Sequence, residues 1–273
     1  IFRRKMFIFE VRDLWPELPK AMGVIKNPFI LFLMDILEKV SYYFSNLCIG
    51  LSPGIVEGIK RKSKNKTVYL IPNSSDLDLV KEIDFQIKKE FIAVFTGAHG
   101  YANGLEAVLY AAKELIKLNR LDIKIQFIGD GILKNKLKKI VNKEQLINCN
   151  FLDPMPKKDL FKYLQINASV GLMILKDIPA FYEGTSPNKF FDYIALGLPV
   201  INNYPGWIAQ IIKDKNCGIP IKPNNPVLFA NSLIRLKDNP EILKVMSKNC
   251  KLLAKQDYSR DQIGKDFINI FNS

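Results

Sequence analysis

Between Tyr182 and Ile201 the chain reads YEGTSPNKFFDYIALGLPVI, a polar loop that runs straight into an apolar segment. Ser186 is a residue type that caps helices by accepting from a free backbone N–H, and Pro187 suits the first helical position, where its missing N–H is not needed. Phe190, Phe191, Ile194 and Ala195 recur at helical spacing as one buried face. Asn188 and Asp192 lie four apart on another face, and Gly197 ends the helix before LPVI, a short buried strand. Such a helix start presents free N–H groups and the positive end of the helix dipole, the usual physical answer to binding a phosphate. Ser186, Asn188 and Lys189 stand where they would add to that site. A well-capped helix without a ligand has the same local features, and on those features alone both readings stay open.

A second segment has related chemistry. TGAHGYANG, Thr96 to Gly104, is a glycine-punctuated turn after a strand, where backbone N–H groups can approach a pyrophosphate closely; Gly97, Gly100 and Asn103 belong to it, and Gly129 and Asp130 belong to the similar turn FIGDG. The spacing misses G-x-G-x-x-G, and the second strand ends in a glycine turn instead of an acidic residue, which speaks against a nicotinamide dinucleotide. His99 is the only histidine, so these residues assemble neither a His-based metal site nor a Ser-His-Asp triad. Its place beside a glycine loop leaves ligand contact and a structural role equally open. The four cysteines, Cys48, Cys149, Cys217 and Cys250, stand singly, without metal or redox spacing, and fit a reducing compartment.

These residues need a scaffold that brings strand ends together. From Phe91 onward strands and helices alternate with short loops: FIAVFTG, GLEAVLYAAKELIKL, DIKIQFIGDG, LKNKLKKIVNK, CNFLDP, KDLFKYLQI and SVGLMIL. That pattern predicts a parallel, doubly wound α/β sheet with helices on both faces and ligands beyond the carboxyl ends of the strands. Upstream, FIFEVRDLWPE, NLCIGLS and VYLIPN read as strands and Asn27 to Phe44 as an amphipathic helix, used for core packing in preference to lying on a bilayer. The expected organisation is a partial α/β domain over residues 1–86, whose beginning is absent, a second Rossmann-like domain over 87–254, and a helix over 255–273 that packs back on the first.

The bulk composition sets outer limits. A chain of 273 residues that is 48% hydrophobic and 25% charged, with a mean hydropathy of +0.02, is a folded protein with room for two modest cores. The net charge of +13 is carried mainly by lysine and is dispersed, without interleaved aromatics on one face, which argues against a nucleic-acid partner. Only KRKSKNK, Lys60 to Lys66, is dense, and it reads as a solvated loop. No apolar run reaches the length of ~20 residues that a membrane-spanning helix needs, and no signal or transit peptide is seen.

SPNKFFDYIALGLPVI resembles the signature of retaining family-4 glycosyltransferases of the GT-B fold, and FTGAHGYANGLEAVL, FIGDG, FLDPMPKKDL and VGLMIL resemble further segments of that family in the same order. FEVRDLWPELPKAMGVIKNP and NNYPGW are similar to a narrower group, bacterial O-antigen or capsule transferases like the N-acetyl-L-fucosaminyltransferases. The resemblance runs from about Phe9 to the end and implies roughly another hundred residues before it. It implies two Rossmann-like domains, the first incomplete here, with a nucleotide-sugar donor, preferably UDP-linked, on the second and the acceptor on the first. That acceptor would be a polyprenyl-diphosphate-linked or oligosaccharide one, met in the cytoplasm at the inner face of the plasma membrane.

By the same resemblance, Asp192 matches the second carboxylate of a Glu-x7-Glu motif and would hold the ribose hydroxyls. Glu183, one residue out of register with the first, would lie near the donor sugar. The donor-binding set is then Gly97, His99, Gly100, Asn103, Gly129, Asp130, Ser186, Asn188, Lys189 and Asp192. Ala98 and Asn103 replace the Arg and Lys that the family often places in the first glycine loop, so Lys189, His99 and the helix N–H groups would neutralise the diphosphate. Arg12 and Asp13 match a His-Asp pair; Arg12 cannot act as a base and would hold a phosphate or carboxylate or pair with Asp13. Retaining transfer on one face, with the leaving diphosphate assisting the acceptor's deprotonation, needs neither a protein base nor a metal cofactor. A sugar-nucleotide epimerase of the same fold and a nucleotide-binding fragment without turnover stay open as alternatives.

Overall fold

The computed structural model describes residues 5–83 and 85–271; residues 1–4, 84, 272 and 273, which the sequence reading assigned to its first and last segments, lie outside the described residues. In chain order the elements are β1 (Ile8–Val11), α1 (Glu17–Ala21), α2 (Pro28–Phe44), β2 (Leu47–Gly50), α3 (Pro53–Lys62), β3 (Val68–Leu70) and β4 (Phe91–Thr96). Then follow α4 (Glu106–Lys117), β5 (Ile123–Ile128), α5 (Lys134–Lys143), β6 (Cys149–Leu152), α6 (Lys157–Asn167), β7 (Val170–Met173), α7 (Ala180–Glu183) and α8 (Asn188–Ala195). The chain ends with β8 (Val200–Asn202), α9 (Trp207–Asp214), β9 (Gly218–Pro220), α10 (Pro226–Asp238), α11 (Pro240–Gln256) and α12 (Arg260–Asn269). These elements form two compact units, one of Ile1–Ser74, Ile178–Pro187 and Asp261–Ser273, the other of Ser75–Asp177 and Asn188–Arg260.

The first unit has a parallel sheet of order β1-β2-β3. Successive strand residues face opposite sides, so Cys48 joins Val11, Tyr42, Ile55 and Ile59 on one face while Leu47 and Ile49 meet Phe267 and Ile270 on the other. α2 begins where the sequence said, with Asn27 Oδ1 accepting the Phe29 N–H at 2.9 Å and Pro28 at the first position. Its use differs from the expectation of core packing. Glu38 and Tyr42 are its buried residues, and Phe29, Phe32, Leu33, Leu37 and Tyr43 are exposed, Tyr43 at 78%. Tyr42 donates to Glu38 Oε1 at 2.6 Å and Lys62 pairs with Oε2 of the same carboxylate, so a satisfied polar cluster occupies the buried side. The basic run is corrected by the same contact: Lys60, Arg61 and Lys62 form the last turn of α3, where cations suit the helix dipole, instead of a solvated loop.

The second unit carries a six-stranded parallel sheet of order β6-β5-β4-β7-β8-β9, the doubly wound Rossmann order expected from the alternating pattern. Its core runs through Phe91, Ala93, Phe95, Ile123, Ile125, Phe127 and the inner faces of α4 and α10. Cys217 and Cys250 are fully buried thiols; the Cys250 S–H donates to the carbonyls of Cys217 and Leu198. The terminal helix expected over 255–273 is two helices among the described residues. α11 stops at Gln256 and α12 starts at Arg260, because the intervening segment pairs with Ser75: Ser75 N–H donates to Tyr258 O at 2.7 Å and Ser75 bridges Ser259.

Candidate functional site

The doubly wound order makes the gap between β4 and β7 the point where successive crossovers diverge. These strands pair only at Ala93–Val170 and Val94–Gly171, so they splay before their carboxyl ends. Tyr193 of α8 fills the gap: its hydroxyl donates to Val94 O at 3.2 Å and accepts the Thr96 N–H at 2.9 Å, satisfying backbone groups that the missing strand pairing leaves over. A Cβ at Gly171 would come within 2.5 Å of the Tyr193 ring, so the glycine is what admits it. α8 is thereby fixed with its first turn at the crevice where ligands of such sheets bind.

The glycine turns beside it are laced together. Gly97 N–H donates to Ile128 O at 3.0 Å and His99 N–H to Asp130 O at 2.8 Å. Gly129 has φ +143° and a Cβ there would stand 2.1 Å from Gly97 O, so the close crossing of the two loops requires glycine. Gly97, at φ +115°, has a backbone conformation that favours glycine, and the end of Lys189 lies beside it, 3.7 Å from where a Cβ would stand. The Lys189 Nζ donates to Asn103 Oδ1 at 2.9 Å and lies 4.2 Å from the centre of the Phe95 ring, a cation–π contact. Asn103 is oriented by donating in turn to Ala98 O at 2.7 Å. Among the described residues no carboxylate lies within ion-pair distance of Lys189, and burial pushes its ammonium down to about 7. A cation held without an anion beside a helix start, where the dipole's positive end lies, is suited to a phosphate. Gly97, Gly100, Asn103, Gly129, Asp130, Asn188, Lys189 and Asp192 all belong to this second unit.

Asp192, one turn further along α8, is placed differently. Its Oδ1 lies 2.9 Å from Lys157 Nζ, and Lys157 also pairs with Asp76. Burial pushes the Asp192 carboxyl above its usual range, Lys157 opposes this, and Asp76 adds to it. Three residues depart from the sequence expectations. His99 is fully buried among Phe95, Phe127 and Phe151, so its ring does not line the mouth of the loop, and burial holds it neutral, with its pKa down to about 4. α8 starts at Asn188, and the Ser186 hydroxyl accepts the Asn73 N–H at 3.2 Å; the helix cap expected of Ser186 is replaced by this loop contact. Arg12 Nε pairs with Glu10 Oε1 at 2.9 Å, not with Asp13, whose carboxyl burial raises.

Arg12, Asp13, Glu183 and Ser186 belong to the first unit. Arg12 and Asp13 line a cleft of about 530 Å³ with Phe9, Trp15, Met34 and Leu37. Glu183 ends α7, where its carbonyl accepts from Ser52 Oγ at 2.6 Å and its backbone presses so closely on Gly54 that a Cβ there would fall 2.6 Å from Glu183 O. Sequence reasoning missed Lys157 and Asp76; DPMPKKDL carried Lys157 in view, at the start of a helix after a strand end. Among the described residues no group of three His, Cys, Asp or Glu side chains is arranged to hold a metal.

Known proteins resemble this chain in sequence and in fold. Residues 64–252 match the family described as glycosyl transferases group 1. The chain is 23% identical over 253 residues to the uncharacterised glycosyltransferase MJ1607 of Methanocaldococcus jannaschii, covering 86% of this chain and 62% of that relative's length. The structure of Anabaena Alr3699/HepE in complex with UDP shares the fold, with a TM-score of 0.76 at 11% identity over 99% of this chain and 73% of that one. WaaG, a glycosyltransferase involved in lipopolysaccharide biosynthesis, gives a TM-score of 0.70 at 14% identity over 96% and 75%. The folds of both units are those of Rossmann-like, GT-B glycosyltransferases, and the chain belongs to the glycosyl transferases group 1 family.

Proposed function

We propose that this chain binds the diphosphate of a UDP-sugar at Lys189 and the first turn of α8, and transfers the sugar with retention to a saccharide or lipid-linked acceptor in surface-polysaccharide assembly. The observation that carries the reading is the Lys189 ammonium, fixed by Asn103 and Phe95 at the sheet's switch point, with no carboxylate among the described residues paired to it. A diphosphate there would receive the ammonium and the free N–H groups of α8, both of which strengthen as negative charge develops on a leaving group. In this proposal the leaving diphosphate, not a side chain, assists deprotonation of the acceptor, in keeping with a histidine that is buried and neutral. Asp192 is assigned to the ribose diol, since a carboxylate accepts from two adjacent hydroxyls at once. UDP bound by HepE and the polysaccharide role named for WaaG support the donor and pathway class.

For the acceptor we assign the cleft at Arg12 and Asp13. Trp15 offers a face to a sugar ring, and Met34 and Leu37 offer an apolar wall to a lipid carrier. The exposed apolar residues of α2 lie on the same unit and suit a membrane surface on the cytoplasmic side. No helix among the described residues is long and apolar enough to cross a membrane. Calorimetric titration with UDP, GDP and NAD tests the reading. Micromolar UDP binding that Lys189→Ala weakens is expected; binding of NAD alone, or UDP binding indifferent to Lys189, overturns it.

A further inference from the structure

Asp192, assigned to the ribose diol, is already paired with an ammonium. Four segments far apart in sequence meet at it. Lys157, at the first position of α6, places its Nζ 2.9 Å from Asp192 Oδ1 and against Asp76 Oδ2. The Arg260 guanidinium lies against Asp76 Oδ1. Asp76 is held in turn by its neighbour Ser75, whose Oγ donates to Phe191 O at 2.9 Å and whose N–H donates to Tyr258 O, while the Tyr258 ring packs edge-on against Phe191 at 5.2 Å. The groups around Asp192 are therefore Lys157 from α6, Asp76 with Arg260 behind it, and Tyr193 on α8 itself. Asp76 and Asp192 are both largely buried, with side-chain exposures of 9% and 19%. The ammonium that joins the two carboxylates lowers the Asp192 pKa, while burial and the Asp76 charge raise it.

Resting on the assignment of Asp192 to a ribose diol, we infer that Lys157 is the positioning residue that keeps Asp192 ionised and aimed, and that the Ser75–Asp76 and Tyr258–Arg260 segments are its fixed mount. Lys157 takes one oxygen of Asp192, which sets the carboxylate's rotation and leaves the other oxygen for hydroxyl donors. Asp76, anchored by Ser75 and Arg260, keeps the ammonium from following a bound diphosphate. Removing Lys157 leaves Asp76 facing Asp192. Asp192, raised by burial and by the Asp76 charge, then takes up a proton more readily, and a neutral carboxyl there loses its advantage as a double acceptor.

The test compares UDP with 2′-deoxy-UDP in calorimetric titrations of Lys157→Met, Lys157→Arg and Asp192→Asn at pH 6.0 and pH 8.5; the ratio of the two affinities cancels protonation of the phosphate. In Lys157→Met the preference for UDP is expected to fall at least fivefold at pH 6.0 and to return toward that of the unmodified chain at pH 8.5. Lys157→Arg should restore it at both pH values, because a guanidinium also bridges two carboxylates. If the preference is unchanged in Lys157→Met, or falls equally at both pH values, the positioning role is wrong. If Asp192→Asn also leaves the preference intact, the ribose assignment itself fails, an outcome separate from the first. Should Lys157→Met not fold, Asp76→Asn, which loosens the mount but keeps the ammonium and removes the charge that raises Asp192, is expected to lower the preference by a smaller factor and equally at both pH values, through loss of aim alone; no change there overturns the inference equally.

Discussion

Lys189 and Asp192 stand three residues apart on one short helix and have opposite electrostatic histories. The cation is held by an amide oxygen and an aromatic face, with no counter-charge among the described residues and a depressed pKa. The anion is already neutralised by Lys157, and its pKa is raised only against that opposition. A group whose charge is unpaired in the free protein gains the most when a ligand supplies the opposite charge; a group already paired contributes mainly geometry. On the proposed function, one helix start would divide its work, Lys189 giving affinity and Asp192 giving discrimination.

The largest effect that would break this contrast is on affinity for UDP-glucose. Lys189→Ala should weaken it by about 2 kcal/mol, roughly thirtyfold, by calorimetry. Asp192→Asn should cost less, about 1.4 kcal/mol or tenfold; if it costs as much as Lys189→Ala, the division of labour is refuted. Asn103→Asp sharpens the point by giving Lys189 the counter-charge it lacks. The ammonium should then titrate near its ordinary value, and affinity should drop several-fold although a hydrogen-bond acceptor remains in place.

The pH dependence is a smaller effect with two opposite signs. With its folded pKa near 7 and its unfolded value at the ordinary 10.5, Lys189 binds fewer protons folded than unfolded between those limits, so its contribution to folding stability rises with pH across that window. UDP-glucose affinity should instead fall as pH rises above about 7, because the ligand needs the charged form. Both trends should vanish in Lys189→Met, measured by urea denaturation and titration from pH 6 to 8.5. The smallest effect is expected for Tyr193→Phe. Loss of the hydroxyl that serves Val94 and Thr96 should cost about 1–2 kcal/mol of stability by denaturation and leave the affinity order of Lys189 and Asp192 variants unchanged.

The second unit was legible as far as Val200 because its strands are continuous apolar runs and its helices have strong amphipathic periods, the pattern of a sheet buried on both faces. The Asn27–Pro28 helix start was legible for a local reason, a capping side chain beside a proline. What lay beyond reach was non-local. β9 is three residues long, too short for any periodicity, and exists because it pairs with β8. His99 sits in a loop by sequence and in an aromatic cage in space, since Phe127 and Phe151 come from other strands. The partners of Asp192, Lys157 and Asp76, are 35 and 116 residues away, so only the fold reveals them. α2 misled in the opposite way: an apolar period predicts which residues cluster, and tertiary context decides whether that cluster is covered.

The buried sulfurs are distributed usefully. Cys48 is enclosed in the first unit, and Cys217 and Cys250 are enclosed in the second, all as free thiols. A folded unit shields its own sulfurs from an alkylating reagent, so each is modified only when that unit opens. Timed alkylation read by peptide mass therefore supplies two independent clocks within one unmodified chain. A nucleotide that binds the second unit should slow the Cys217 and Cys250 clock and leave the Cys48 clock running at its own rate, which would report which half of the protein a ligand grips before any residue is replaced.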